Sequence, residues 1–585
     1  MTPSDLLRKD APGLADLRGR LRPLPLAGSS FLIVLLVLFL IVPIGLAIAQ
    51  AFTFAGRPSL EWMRRVVTNR ILLRELANGL VLASCTTILS MVIAIPLAML
   101  RAKCSFRGQG FLSLAVLVPL ILPPFVGALS MKGLLAQYGV LNRILDKLGL
   151  VQLYGASPPP DWLESGFWGT VILQSLHLFP ILYLNASAAL ANIDPAYSQA
   201  ARNLGASPLR TFFRITLPLM RPGLFAGGTI VFIWAFTDLG TPLIMGYEAL
   251  TPVRLFKELA GADMSPRTFS LVFIMLSSAV GLYIVGKFLF GRSAAAESSK
   301  ATVAAQSRTL GAGATLAAWA LFGTVTLLAL VPHIGVVLNA VSGEWSGTIL
   351  PSKYTLQYLR DTLTSDETHQ SIVNSLRYAG LATAVDLLMG AAAAWLIVRS
   401  RIPGRNTLDG LTMLPLAVPG LILAAGYVAL TAPGTWLQSI GPARDPLVII
   451  VIAYSVRRLP FAVRSISAGL EQVPTSLEEA ARNLGASKFM AVARITAPLV
   501  LANIVAAAVL TFSFAVLEVS DSLILAQVSD DYPITKQIYI LATSGNREAV
   551  NMASALGVYG MVLLGGTMAL ASALLGKKLG AIFRA

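Results

Sequence analysis

The phrase Ala200-Ala201-Arg202-Asn203-Leu204-Gly205-Ala206-Ser207 recurs 280 residues later as Ala480-Ala481-Arg482-Asn483-Leu484-Gly485-Ala486-Ser487. Each copy is followed at the same distance by a second shared fragment, Ile215-Thr216-Leu217-Pro218 and Ile495-Thr496-Ala497-Pro498. Such a match marks an internal duplication, which restricts the fold to two copies of one architecture. Further matches extend it. Asn78-Gly79-Leu80 pairs with Asn374-Ser375-Leu376, Gly108 with Gly404, and Pro119 and Pro123 with Pro415 and Pro419, all at an offset of 296. By Pro180 and Pro460 the offset is 280, so the first half holds 16 additional residues within Leu134–Trp168.

The duplicated unit is a membrane unit. Hydrophobic residues make up 55% of the 585 and charged residues 13%, against about 25% charged in soluble domains. Six apolar segments per half are long enough to span a bilayer as helices. The first set is predicted near 30–51, 76–100, 110–131, 167–190, 222–246 and 268–290. The second is predicted near 313–341, 372–398, 408–431, 446–470, 500–527 and 553–576. The fold expected is an all-α polytopic membrane protein of about 12 transmembrane helices. An even number of spans per half makes the two six-helix repeats parallel. The first repeat is placed at 1–290, a polar Ala- and Ser-rich linker at 291–312, and the second repeat at 313–585.

Arg8, Lys9, Arg18, Arg20 and Arg22 precede a first apolar run too long for a cleaved leader, so it is read as a retained helix. With the N-terminus in the cytoplasm, most of the 45 Lys and Arg fall on that side. Both termini and both copies of the phrase are then cytoplasmic. This accounts for the net charge of +16 without nucleic acid. Cys85 and Cys104 imply neither a disulfide nor a zinc site.

Each phrase reads as helix, sharp turn, helix. Asp194 with Pro195 opens the first copy, and Thr475 with Glu478, or Ser476 with Glu479, suits a capping box in the second. Gly205 and Gly485 suit a left-handed residue ending the first helix. Ser207 and Ser487 cap a second short helix expected to stop before Pro218 and Pro498. The elbows occupy 194–221 and 474–500 and are basic through Arg202, Arg210 and Arg214, or Arg482, Lys488 and Arg494. An interfacial anchor needs no sequence identity between copies; docking on two identical partner surfaces does.

These residues resemble the Glu-Ala-Ala loop of the permease subunits of ABC importers, with its glycine and Ile-x-Leu-Pro at fixed spacing. Glu479-Ala480-Ala481, Gly485 and Ile495-Thr496-Ala497-Pro498 fit it, with Ala497 for Leu. Gln199-Ala200-Ala201, Gly205 and Ile215-Thr216-Leu217-Pro218 fit it, with Gln199 for Glu. With six-plus-six spans, the chain is similar to fused, double-length permeases of the ferric-iron type. That resemblance implies a bacterial inner-membrane transport subunit that is not itself an enzyme and holds no cofactor. Its implied partners are two copies of a separate ATPase beneath the membrane and a periplasmic or extracytoplasmic solute-binding protein. Gln199, Ala200, Ala201, Gly205, Ser207 and Arg210, and Glu479, Ala480, Ala481, Gly485, Ser487 and Arg494, would couple to the ATPase. Ferric iron is the first substrate it suggests. A phosphonate, a phosphate ester, thiamine or a polyamine, and an ion-coupled carrier, are the alternatives.

Charged residues inside spans are costly and mark candidate function. His177 in the fourth span matches Arg457 in the tenth, where Arg458 and Arg464 follow; Asp238 matches Glu518; Asp386 lies in the eighth. His177, Asp238, Arg457, Arg458 and Glu518 are the candidate translocation path. Arg457 and Arg458 either face an anionic or chelated solute or pair with Glu518 or Asp386 to fix helix register. No metal site is expected, because His177, His333 and His369 do not cluster with carboxylates at ligand spacing. Pro119, Pro123, Pro124, Pro415 and Pro419 are expected to kink the third and ninth spans, as packing bends or as a gate. Gly281 to Lys287 spells most of a P-loop, but Phe288 stands where Ser or Thr is needed and no strand precedes it.

Overall fold

The computed structural model describes residues 23–54, 57–121, 123–155, 157–163, 165–260, 266–290, 308–345, 347–400, 403–416 and 418–575. The basic N-terminal segment and most of the 291–312 linker lie outside the described residues. The first half comprises α1 Pro25–Ala51, α2 Arg70–Lys103, α3 Gln109–Leu120, α4 Pro124–Leu135, α5 Phe167–Ala191, α6 Pro195–Asn203, α7 Pro208–Thr237, α8 Gly240–Met245, α9 Thr251–Ala260 and α10 Pro266–Phe290. The second half repeats the order as α11 Ala312–Ala340, α12 Asp366–Arg399, α13 Arg405–Leu416, α14 Gly420–Leu430, α15 Leu447–Gln472, α16 Thr475–Asn483, α17 Lys488–Val516, α18 Ser520–Leu525, α19 Ile534–Thr543 and α20 Arg547–Leu575.

Among the described residues nine helices are long and apolar enough to cross a membrane, or up to eleven if each of two bent pairs, α3 with α4 and α13 with α14, is one span. The twelfth is α15. At 26 residues it is long enough, but every 18-residue window in it contains Arg457, Arg458 and Arg464. Three two-stranded ladders of two or three residues join loops, a detail the all-helical expectation did not include.

In each half the second, fourth and fifth spans pack as a group, α2, α5 and α7 matching α12, α15 and α17. The opening helices cross over. α1 lies on α14 of the second half, and α11 lies on α4 of the first. Gly426 of α14 sits where a Cβ would be 2.7 Å from the backbone of Pro43, and the Tyr427 hydroxyl donates to the Phe39 carbonyl at 2.8 Å. Each half therefore holds the other's broken span, so neither half has a complete core alone.

Three sequence expectations are corrected. The third and ninth spans are broken rather than kinked: α3 meets the Pro124–Lys147 stretch at 86°, and α13 meets α14 at 104°. Pro123 and Pro419 have no N–H to give the carbonyls of Pro119 and Pro415 four residues back, so the helix cannot continue. The elbow's second helix does not stop before Pro218 or Pro498. It runs into α7 and α17 through π-turns at Phe212–Thr216 and Val492–Thr496, whose extra residue shifts the register past each proline. The fifth and eleventh spans also end earlier than expected, at Thr237 and Val516. Asp238 and Glu518 lie at the break beyond them, before the short helices α8 and α18. The P-loop-like Gly281–Lys287 run is uninterrupted α10 helix.

Candidate functional site

The two elbows fold alike. In the first, Asp194 Oδ1 accepts from Ala196 N–H at 2.8 Å. Gly205 at φ +79° donates to the Arg202 carbonyl at 2.9 Å, and Ala206 donates to the Ala201 carbonyl at 3.0 Å. In the second, Gly485 at φ +91° donates to Arg482 at 3.0 Å and Ala486 to Ala481 at 3.0 Å. This is the Schellman closure, in which the left-handed residue is almost always glycine. Ser207 Oγ accepts from Arg210 N–H at 3.3 Å and Ser487 Oγ from Met490 N–H at 3.2 Å.

The expected capping box is absent. Pro474 is the N-cap of α16 and no side chain caps it. The Glu478 carboxylate instead accepts from Thr496 Oγ1 at 2.8 Å and lies 3.7 Å from Arg399. Arg399 also donates to the Leu470 and Val473 carbonyls, so the second elbow is tied to α12 and α15. The first elbow has Ser198 and Lys103 in these places, and Thr216 Oγ1 has no hydrogen-bond partner among the described residues.

Gln199, Ala200, Gly205, Ser207 and Arg210 are exposed, as are Glu479, Ala480, Gly485, Ser487 and Arg494; Ala201 is buried and Ala481 half-buried. Leu204 and Leu484, one residue before each glycine, are 87% and 90% exposed. Leu209 and Phe489 lie bare on the following turn. Sequence reasoning passed over these residues, although an apolar side chain held in register within a polar repeated phrase was the available signal.

Inside the bundle the halves diverge. In the second, Arg457 hydrogen-bonds Glu518 and lies 3.2 Å from Asp521 Oδ2. Arg458 bonds Glu518 on its other oxygen and stacks over Phe514 at 5.5 Å. Thr535 Oγ1 holds the Glu518 carbonyl at 2.8 Å, and the Tyr454 hydroxyl meets Ser522 Oγ at 2.6 Å. The structure thus brings together Arg457, Arg458 and Glu518, adds Asp521, and leaves Asp386 without a hydrogen-bond partner among the described residues. Two arginines balanced by two carboxylates, all largely buried, form a closed network.

In the first half the equivalent place holds one carboxylate and no arginine. Asp238 accepts from Gln174 Nε2 at 2.9 Å and from Gly240 N–H at 3.1 Å. His177 Nδ1 lies 2.8 Å from the Pro119 carbonyl, the acceptor that Pro123 leaves without its helical donor. Arg457, at the position matching His177, packs against Gly420 just past the break of the ninth span, where a Cβ would clash with its guanidinium. Each half thus sets a nitrogen-bearing side chain of its fourth span against the break in its third. Among the described residues Asp238 forms no ion pair with the arginine cluster.

A model of Binding-protein-dependent transport system inner membrane components matches twice, at residues 94–289 and 386–581. The chain belongs to that family. The two matches coincide with the duplicated halves, so the chain is a fused, double-length ABC permease and a transport subunit. It is 27% identical, over 84% of its length and 70% of the relative's, to a ferric transport system permease protein of Actinobacillus pleuropneumoniae. An Fe(3+)-transport system permease protein of Haemophilus influenzae is 24% identical over 85% of this chain and 89% of its own. A molybdate/tungstate transport system permease protein of Pyrococcus abyssi is 25% identical over 44% of this chain and 93% of its own. The last is a half-length relative, matching one repeat. Family membership and the apolar helices make this a multi-pass membrane protein that works with a binding protein.

Proposed function

We propose that this permease carries ferric iron, handed over by a solute-binding protein on the far face, and that two copies of one ATPase dock on its elbows. The observation that carries the docking reading is that both elbows share the eight-residue phrase, the left-handed glycine closure and the serine cap. Two equal surfaces, each offering a bare leucine beside a left-handed glycine, fit two equal partners. The elbow face is then cytoplasmic, both termini lie on that side, and hydrolysis of ATP belongs to the partner. ATP-driven closure of the ATPase pair would draw the elbows together and rock the crossed-over halves between inward-open and outward-open states. The halves are those proposed from the sequence, 1–290 and 313–585, with a linker between.

The similarity to ferric permeases across most of the chain favours iron. The second reading, a tetrahedral oxyanion, is favoured by the likeness to a molybdate/tungstate permease. No cofactor or resident metal is part of either reading. His177, Asp238, Arg457, Arg458 and Glu518 brace the breaks of the path rather than bind solute. The test is ATP hydrolysis by the reconstituted complex with its binding protein loaded in turn with ferric iron, molybdate, 2-aminoethylphosphonate, a hexose phosphate, thiamine and spermidine. Stimulation by the iron-loaded form supports this reading, and stimulation by another load alone replaces it.

A further inference from the structure

Helices α9 and α19 are equivalent ten-residue segments between the fifth and sixth spans of their halves, and Phe256 and Tyr539 are each the sixth residue. Their rings meet edge to face with centroids 5.5 Å apart. Two residues related by a pseudo-two-fold axis can touch only beside that axis, so this pair closes over the line along which solute must pass. Gly240 marks the same line: a Cβ there would lie 3.0 Å from Val519, the neighbour of its own equivalent Ser520.

One turn before Tyr539 stands Lys536, 7% exposed. Its ammonium donates to the Leu523 carbonyl at 2.7 Å and lies 5.8 Å and 5.4 Å from the ring centres of Phe256 and Tyr532. No carboxylate among the described residues pairs with it, whereas Arg457 and Arg458 are both paired. Its equivalent in α9 is Val253, so the charge is not required by the fold. A buried cation held by one carbonyl and two aromatic faces is attracted to those faces but lacks the anion that usually compensates burial.

We propose that Lys536 is the solute-contacting cation of the path and recognises an oxyanion, either free or accompanying ferric ion, when the Phe256–Tyr539 pair parts. This rests on the importer reading above. A bare trivalent cation would be repelled on the axis; an iron–oxyanion complex, or an oxyanion alone, would be held by a charge-assisted hydrogen bond.

The test uses the complete transporter in proteoliposomes, with binding protein carrying radiolabelled iron and radiolabelled phosphate. The expected result is that both labels enter together. Lys536→Gln should lower uptake at least tenfold while the variant still inserts and assembles with its ATPase, and Lys536→Arg should restore most of the uptake. Iron entering without phosphate, or Lys536→Gln importing at the unmutated rate, overturns the proposal. No iron uptake by the unmutated transporter defeats the ferric reading alone. Lys536 is then judged by retention of labelled phosphate in the complex trapped with ADP and beryllium fluoride. Lys536→Gln must abolish that retention, and equal retention or none by both proteins refutes the assignment.

Discussion

Replacing Glu518 by Gln keeps the shape of the side chain and removes the charge that two arginines share. Arg457 retains Asp521 at 3.2 Å, but Arg458 loses its one hydrogen-bonded carboxylate among the described residues. The side chains of Arg458 and Glu518 are 13% and 5% exposed, so water cannot take the place of the lost partner. Removing one member of a buried pair costs roughly 3–5 kcal/mol, because the other charge is stranded. The surviving Asp521 contact puts the loss near the lower end, about 3 kcal/mol, or on the order of 100-fold in the folding equilibrium. The stranded charge, not the missing bond, is the main cost, so adding Arg458→Met should recover about 2 kcal/mol of it. Equilibrium unfolding of the detergent-solubilised protein in mixed micelles compares both variants with the unmutated chain. A loss below about 1 kcal/mol for Glu518→Gln, or a double variant less stable than the single, refutes the reasoning.

Leu484→Glu removes a nearly fully exposed side chain whose burial in a partner contributes about 1.5–3 kcal/mol; ATPase affinity should fall roughly 10- to 100-fold with no change in melting temperature. Gly485→Val forces a β-branched residue to φ +91°, at a cost of about 1–3 kcal/mol; uptake and ATPase co-purification should drop while membrane insertion persists. His177→Phe should destabilise by about 1–3 kcal/mol by orphaning the buried Pro119 carbonyl, and His177→Gln should lose less, as thermal unfolding would report. Glu478→Ala cuts the tie of the second elbow to Arg399 and Thr496. It should lower uptake per ATP hydrolysed, whereas Ser198→Ala at the equivalent place should not.

The duplication, the crossings and both elbow turns were legible because each rests on a local rule. A phrase repeated at fixed spacing, apolar runs of bilayer length, and a glycine after a short helix each dictate structure within a few residues. The Arg457–Arg458–Glu518 pairing was also legible, as one of two open readings, because buried charges need partners. Asp521 was missed because it falls in the stretch taken for the end of the eleventh span. That span was extended too far: apolar composition continues past Val516, and hydropathy cannot register the helix break that follows. The breaks of the third and ninth spans were underestimated as kinks, since the prolines specify a missing donor but not the angle the chain then takes. Lys536 and the Phe256–Tyr539 contact lie where the two halves meet. Their importance comes from the pseudo-two-fold axis, and no linear pattern reports which residues stand beside an axis.

The most direct measurement is iron accumulation in proteoliposomes holding this chain with its ATPase, given iron-loaded binding protein outside and ATP inside. The account predicts uptake that requires ATP and binding protein together and is abolished when both Leu204 and Leu484 are changed to Glu. Uptake that proceeds without ATP on a proton or sodium gradient, indifferent to both elbows, would contradict it.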